Sequence, residues 1–314
     1  MRFCYAFRRF SDYPFLGNAF DMDPERITSK FLGRVKDMGF DGIELGIECL
    51  EKINGGENGI KEFAKKLEDH GTPLLAIRSG GLMIDPKYGE DNYNRVISSF
   101  KFAEFFNTKL INGAISIPEK SPYLDTGTEL ISSEWVAHAG LPFSQNSSRE
   151  TSLPEYELLA KKYSEVCDIA KDFDISISCE VHQNSPVDNS WSAKLIHKLV
   201  NRDNFGINPD LGNILWNYDI PEELCEDAII ELAPISNYWH CKNLIRVNHP
   251  ENQRSVFIRE TIIGGEIDYR FAVEAMHNAN YDGFMSIEGV FGGDQYYSDT
   301  VSYTHLTLPT KRIV

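Results

Sequence analysis

The chain has 314 residues, of which 42% are hydrophobic and 25% are charged, so it is long enough to bury a large core. Its 47 acidic residues outnumber the 31 lysines and arginines, and the resulting net charge of −16 argues against a nucleic-acid partner. The sequence shows no apolar leader and no apolar run near the ~18 residues of a membrane helix, which argues against export and membrane insertion. The six cysteines show no CxxC pair, so we expect a cytoplasmic protein with free thiols.

The first half of the chain alternates between strand and helix patterns. An apolar run predicts a first strand at residues 3–7. A helix is predicted at residues 23–38, with Asp23 as N-cap, Pro24 at the first helical position and Gly39 as the stop. Further strands are predicted at residues 42–47, 73–78 and 109–114, and further helices at residues 59–70 and about 91–106.

The second half continues the alternation. Strands are predicted at residues 175–180, 205–210, 238–240 and 283–288, and helices at residues 154–173, 192–200, 222–232 and 268–279. Eight strands that alternate with helices, joined by right-handed crossovers, predict an α/β fold, a closed (β/α)8 TIM barrel, in one domain over residues 1–299.

The end of the chain differs in kind from the rest. Residues 301–310 (VSYTHLTLPT) resemble a translated transposon adapter, so we expect residues 300–314 to be a non-native tail. A closing helix after the eighth strand is missing from the pattern, and the barrel is therefore expected to lack its native last helix.

Two connections between predicted elements are unusually long, at residues 115–153 and 243–262. Both follow the carboxyl end of a predicted strand. Long loops at that end of a barrel are often lids or substrate walls, and we interpret them in this way. A surface insertion without a role is the alternative.

Four residues with metal-ligand chemistry stand at the ends of the last four strands: Glu180, Asp210, His240 and Glu288. In a parallel barrel the carboxyl ends of all strands share one rim, where active sites lie. Three carboxylates and one imidazole suit one divalent cation, such as Mn²⁺, Mg²⁺, Co²⁺ or Zn²⁺. Each residue alone would fit a strand-end ion pair or a helix cap equally well, but four on one rim predict a metalloenzyme.

Two further rim residues have open roles. His182 lies two residues after Glu180 and so on the same side of an extended strand end. It would bind a substrate hydroxyl or relay a proton, or it is a hydrogen-bonded loop histidine. Lys242 would bind the substrate or pair with a rim carboxylate.

Several motifs resemble the xylose isomerase-like barrel superfamily, in particular its sugar phosphate isomerase/epimerase group. They are residues 179–182 (CEVH), 209–213 (PDLGN), 239–243 (WHCKN) with Arg246, 264–268 (GGEID) and 280–288 (NYDGFMSIE). The resemblance implies that Glu180, Asp210, His240 and Glu288 bind the metal and that Arg246 grips the substrate. Glu44 also fits a common position of the group, or it is a structural rim acid.

The resemblance implies a metal-dependent isomerase or epimerase of a keto-sugar or sugar phosphate. Glu180 and Glu288 would pass protons next to a carbonyl, through a metal-bound enediolate. Asn213 stands where many relatives carry His; it would bind a substrate hydroxyl but is a poor proton carrier.

Two other functions stay open. One is a lyase on the same scaffold, either inosose dehydratase-like or eliminating from a 3-keto-glycoside. The other is a non-catalytic sugar-binding barrel. The expected partner in each case is a small carbohydrate, and assembly into a homo-oligomer is left open.

Overall fold

The computed structural model describes residues 2–6, 23–115, 136–138, 147–183, 185–216 and 222–288. In these residues the strands are β1 (Arg2–Ala6), β2 (Gly42–Gly46), β3 (Leu74–Arg78), β4 (Leu110–Ala114), β5 (Val136–His138), β6 (Ser176–Glu180), β7 (Phe205–Asn208), β8 (Trp239–Cys241), β9 (Asn243–His249), β10 (Arg254–Glu260) and β11 (Phe284–Ile287).

Eight of these strands form one parallel sheet in the order β7-β6-β4-β3-β2-β1-β11-β8. The sheet curls so that β7 meets the segment just before β8, where Ile207 and Ser236 form a parallel bridge. A side chain supports this seam, because Asn208 Oδ1 accepts a hydrogen bond from the backbone N–H of His240 at 2.7 Å. The predicted (β/α)8 barrel is thereby confirmed.

The described helices are α1 (Ser29–Asp37), α2 (Ile47–Leu50), α3 (Gly56–Asp69), α4 (Gly89–Phe106), α5 (Leu153–Lys171), α6 (Ser190–Val200), α7 (Leu211–Ile214), α8 (Cys225–Leu232) and α9 (Tyr269–Asn278). None of them is both long and apolar enough to cross a membrane.

The predicted start of the first helix at Asp23 is wrong. Asp23 caps only a short 3-10 turn, Pro24–Arg26. The α-helix begins five residues after Pro24 at Ser29, because the Thr28 side chain accepts a hydrogen bond from the N–H of Phe31 and so caps α1.

The core lies between the barrel strands and the surrounding helices. Strand residues alternate between that layer and the barrel interior. Cys179 and Cys241 are fully buried in the layer, where they lie beside Tyr163 of α5 and Tyr269 of α9. Their neighbours along the strands, Glu180 among them, therefore point into the barrel.

The prediction of a loop at residues 243–262 is wrong. This segment is an antiparallel hairpin in which β9 and β10 pair from Asn243 opposite Glu260 to His249 opposite Arg254. Strand β5, which comes from the other long connection, pairs with the free edge of β10. The two connections thus join in one three-stranded sheet, the cap sheet (β5, β9 and β10), on the carboxyl side of the barrel.

The cap sheet contacts the rim through its inner face. Phe257 packs edge-on against Trp216, with ring centroids 5.9 Å apart. Arg259 donates to the backbone carbonyl of Glu288 at 3.1 Å. The predictions of a missing last helix and of a non-native tail fall on residues 289–314, outside the described residues.

Candidate metal centre

The structure brings Glu180, Asp210, His240 and Glu288 together inside the rim. One ligand atom from each lies within 4.8 Å of the others, and all four residues are buried. Glu180 ends β6, Asp210 follows β7, His240 lies in β8 and Glu288 follows β11. These four strands are consecutive around the barrel, so the grouping follows directly from the fold.

The imidazole of His240 faces two of the carboxylates. Its Nδ1 lies 3.4 Å from Glu180 Oε1 and 3.4 Å from Glu288 Oε1. This atom is buried and has no hydrogen-bond partner among the described residues. The other ring nitrogen, Nε2, lies 2.7 Å from Glu44 Oε2. A histidine with one nitrogen on a carboxylate and the other directed at acidic groups has the arrangement of a metal ligand.

A buried ammonium group completes the cluster. Lys242 Nζ donates to Asp210 Oδ2 at 2.7 Å and to Glu288 Oε2 at 2.9 Å, and its side chain is 2% exposed. It also lies 5.6 Å from the centre of the Trp216 ring. Lys242 was predicted to bind the substrate or to pair with a rim carboxylate, and the structure shows the pairing.

The residues fit a divalent cation in charge and in spacing. Among the described residues, four buried carboxylates, Glu44 included, surround one lysine and one histidine, and the burial of so many acidic groups is costly unless a positive charge offsets it. A cation bound at about 2.0–2.3 Å separates opposite ligands by about 4.0–4.6 Å, close to the 4.8 Å spread of the group. The cluster could therefore hold one metal ion.

Protons are the alternative counter-charges in this cluster. Burial by itself lowers the pKa of His240, but Glu44, Glu180 and Glu288 outweigh it and raise the pKa to about 10. Burial raises the pKa of Asp210, and Lys242 opposes that shift. A metal ion would therefore enter in exchange for at least the proton on His240.

The sequence of the chain matches a family profile described as xylose isomerase-like TIM barrel over residues 32–301. The chain belongs to the xylose isomerase-like TIM barrel family. No curated protein sequence matches it.

Solved structures of this family and of sugar enzymes share the fold. A xylose isomerase-like TIM barrel protein from Mycobacterium smegmatis, in complex with magnesium, has a TM-score of 0.75 at 20% identity over 100% of this chain and 98% of its own. The 3-keto-D-glucoside 4-epimerase of E. coli has a TM-score of 0.67 at 15% identity, over 98% and 99% of the two chains. A protein of Bacillus anthracis assigned as a 3-DHS dehydratase of petrobactin synthesis has a TM-score of 0.67 at 16% identity, with the same coverage of 98% and 99%.

At these identities the likeness establishes the fold of the family and leaves the reaction to the chemistry of the site.

Of the remaining predicted residues, Asn213 touches the group directly, donating to Glu180 Oε1 at 3.2 Å and to the Val181 carbonyl at 2.9 Å. His182 is buried, and its Nδ1 lies 2.7 Å from the Gln183 carbonyl. This contact is that of a hydrogen-bonded loop histidine, and a role towards the substrate stays a prediction.

Arg246, which the family resemblance assigns to the substrate, lies on β9 of the cap sheet. Its guanidinium pairs with Glu266 at 3.2 Å, and its backbone N–H donates to the same carboxylate at 2.5 Å. The ion pair offsets the charge of Arg246, so a substrate that binds this guanidinium would share it with the carboxylate of Glu266.

Sequence reasoning missed the polar layer beneath the four predicted ligands. Asn112 in β4 and Asn208 in β7 are fully buried, although amides are uncommon inside strands. Asn208 Nδ2 donates to Asn112 Oδ1 at 3.2 Å, and both contact His240. An amide inside an otherwise apolar strand was the available signal.

Proposed function

We propose that the protein is a divalent-metal-dependent isomerase or epimerase of a keto-sugar. The observation that carries this proposal is the placement of Glu180 and Glu288, whose Oε1 atoms both lie 3.4 Å from His240 Nδ1. The strands that bring them, β6 and β11, are separated around the barrel by β7 and β8. A substrate carbon held between them would have one carboxyl group on each side.

The side chains of the cluster would hold both the cation and the substrate in a fixed geometry. Glu180, Asp210, His240 and Glu288 would bind a divalent ion, which when bound polarises a carbonyl and acidifies the neighbouring C–H. Lys242 holds Glu288 through Oε2, so that Oε1 is the oxygen directed at the centre. Asn213 restrains Glu180 differently, through Oε1 itself, the oxygen that faces His240.

The two glutamates would then move the proton. One carboxylate takes the proton from the carbon next to the carbonyl, the C–H electron pair becomes the double bond of an enediolate, and the negative charge moves to the carbonyl oxygen. If the remaining hydroxyl proton of the enediolate moves to the oxyanion and the carboxyl group returns its proton to the neighbouring carbon, the former hydroxyl oxygen becomes the new carbonyl and the product is an isomer. If the second carboxyl group starts protonated and delivers its proton to the opposite face of the same carbon, the product is an epimer.

The proposal is tested with ketoses, inososes and 3-keto-glycosides in the presence of Mn²⁺. We expect a product of unchanged mass that gains deuterium in D₂O, at the carbon that was deprotonated. Glu180→Gln and Glu288→Gln should each remove most turnover and still bind the substrate where the metal is retained, because Gln keeps an oxygen but loses the base. Glu165→Gln, on the exposed side of α5, is the matched control and should keep full activity.

The same assay separates the alternative reaction. A lyase begins with the same proton abstraction but loses a group from the next carbon, and the fold of the Bacillus anthracis dehydratase supports this second candidate. A product lighter by water or by an aglycone would replace the isomerase proposal with the lyase. Full activity after complete removal of the metal would contradict both, and metal-loaded protein inactive on the whole panel would overturn the proposal.

A further inference from the structure

We propose that Glu44 is a positioning residue, which holds His240 in the tautomer whose Nδ1 lone pair is directed at Glu180 and Glu288. The inference rests on the proposed metal centre and adds a residue outside the ligand set. It assigns a role to a carboxylate that the sequence left open as a rim acid.

Glu44 reaches His240 across the inside of the barrel. The two residues are 196 positions apart in the chain, and β1 and β11 separate their strands in the sheet. The side chains are 2% and 0% exposed, and the distance from Glu44 Oε2 to His240 Nε2 is 2.7 Å. A charge-assisted hydrogen bond of this length in a dry interior is strong enough to select one state of the ring.

Tyr238 restrains the carboxylate from a second side. Its hydroxyl donates to the same Oε2 of Glu44. It lies two residues before His240 on β8 and so on the same side of the strand, and the two rings meet edge to face with centroids 5.2 Å apart. The oxygen that meets Nε2 is therefore held in place by a rigid aromatic side chain.

A chain of amides defines the surroundings of the ring. The backbone N–H of His240 can only donate, so its partner Asn208 presents an oxygen to it, at 2.7 Å. Asn208 then presents its amide nitrogen to Asn112 Oδ1 at 3.2 Å, which turns Asn112 Nδ2 towards His240 Nε2 at 3.3 Å.

Nε2 thus has an ionisable oxygen at 2.7 Å and an amide nitrogen at 3.3 Å. The shorter contact to the charged acceptor decides between them, so Nε2 carries the proton and donates it to Glu44. Nδ1 is then the nitrogen that gives up its proton when a metal ion enters, and it is the atom that faces the two carboxylates at 3.4 Å.

Two consequences follow for metal binding. The imidazole is already oriented for the ion, with the proton that it keeps on Nε2, and the negative charge on Glu44 makes Nδ1 a stronger donor. Carboxylate partners of metal-bound histidines typically change metal affinity by about 10- to 100-fold when they are removed. We expect an effect in this range although Glu44 never touches the ion.

The test is the affinity of the full chain for Mn²⁺ and for Zn²⁺, each measured alone by titration calorimetry against a competing chelator. Glu44→Gln keeps the size and the acceptor oxygen but removes the charge, and should weaken the Kd about tenfold or more. Glu44→Ala also removes the acceptor and should weaken it further. Tyr238→Phe removes a second partner of Glu44 and leaves the contact with His240, so it should weaken the Kd less than Glu44→Gln does. Glu165→Gln, on the exposed side of α5, is the matched control, and its Kd should stay within about twofold of the wild type.

A second readout reports the tautomer directly. In Zn²⁺-loaded protein labelled with ¹⁵N at histidine, the signal that disappears in His240→Gln should show a protonated Nε2, and in Glu44→Ala this proton should exchange rapidly with water. The far-ultraviolet circular dichroism of each variant verifies that it is folded.

The possible outcomes are distinguishable. A wild-type protein that binds no divalent ion overturns the metal centre and the role of Glu44 together. A wild-type protein that binds the ion, with an unchanged Kd in folded Glu44→Gln and Glu44→Ala, overturns the role of Glu44 alone. A lower unfolding midpoint in EDTA with an unchanged Kd would show that Glu44 is merely structural.

Discussion

The buried ammonium of Lys242 offers a sharp test of the charge balance in the metal centre. Its Nζ lies 2.7 Å from Asp210, and the exposed Lys65 lies at the same 2.7 Å from Asp69. The side-chain exposures of the two lysines are 2% and 71%. Lys242→Met and Lys65→Met therefore remove the same contact from a dry site and from a solvated one.

The two substitutions should lower the free energy of unfolding by amounts that differ by roughly an order of magnitude. Removing one partner of a buried ion pair costs about 3–5 kcal/mol, because the other charge stays buried without compensation. Lys242 leaves two such partners, Asp210 and Glu288, and methionine fills most of its volume, so we expect a loss in this range without metal. An exposed pair is worth less than about 1 kcal/mol, and Lys65→Met should be nearly neutral.

Bound metal should restore much of the stability that Lys242→Met loses. A divalent ion supplies positive charge to the same carboxylates, and without the ammonium it meets less repulsion. We expect the destabilisation of Lys242→Met to be at least about 1.4 kcal/mol smaller in saturating Mn²⁺ than in EDTA. By linkage this difference corresponds to about tenfold tighter binding of the ion.

Urea unfolding followed by tryptophan fluorescence, in EDTA and in excess Mn²⁺, measures both free energies. Titration calorimetry measures the affinity independently. A loss below about 1 kcal/mol in EDTA, or an equal loss with and without Mn²⁺, would show that Lys242 is not the counter-charge of the centre.

Three further predictions concern parts of the protein away from the metal. Burial raises the pKa of Asp188 from 3.8 to about 6, so the folded state retains a proton that the unfolded state loses. From pH 4 to 6 the free energy of unfolding should therefore fall by up to about 3 kcal/mol more in the wild type than in Asp188→Asn. Equal pH slopes of the two proteins in urea unfolding would contradict this. A Cβ at Gly113 would lie 2.1 Å from the Ser79 carbonyl oxygen, so Gly113→Ala should lower the free energy of unfolding by about 1–3 kcal/mol. A Cβ at Gly33 would have nothing within 4 Å, so Gly33→Ala should not destabilise α1. Equal effects of the two substitutions in urea unfolding would refute the steric reasoning. We also propose that residues 301–314 are not part of the folded domain, so their deletion should change the unfolding free energy by less than about 1 kcal/mol, and a larger loss would make them a structural element.

Local patterns in the sequence were sufficient to predict the barrel and the grouping of four polar side chains on its rim. Short apolar runs followed by helical periodicity lead to parallel strands, and parallel strands place their carboxyl ends on one rim. Glu180, Asp210, His240 and Glu288 could therefore be grouped without knowing any distance between them, since their positions at strand ends already determine on which rim they lie.

Local patterns failed where a segment depends on a distant partner. Residues 243–262 were predicted as a long loop between two elements, yet they form a hairpin whose edge is covered by β5, which lies more than 100 residues earlier in the chain. The same hairpin turns Arg246 towards Glu266, a pairing that its spacing from His240 does not indicate.

The difference between what the sequence determines and what the tertiary structure decides is clearest at His240. Its place at a strand end is local information and predicts it as a ligand. Which of its two nitrogens faces Glu180 and Glu288 depends on Glu44, Asn112 and Asn208, which come from three other strands. These contacts cross the interior of the barrel, so the curvature and stagger of the closed sheet decide which side chains meet there, and no periodicity within one strand encodes that geometry.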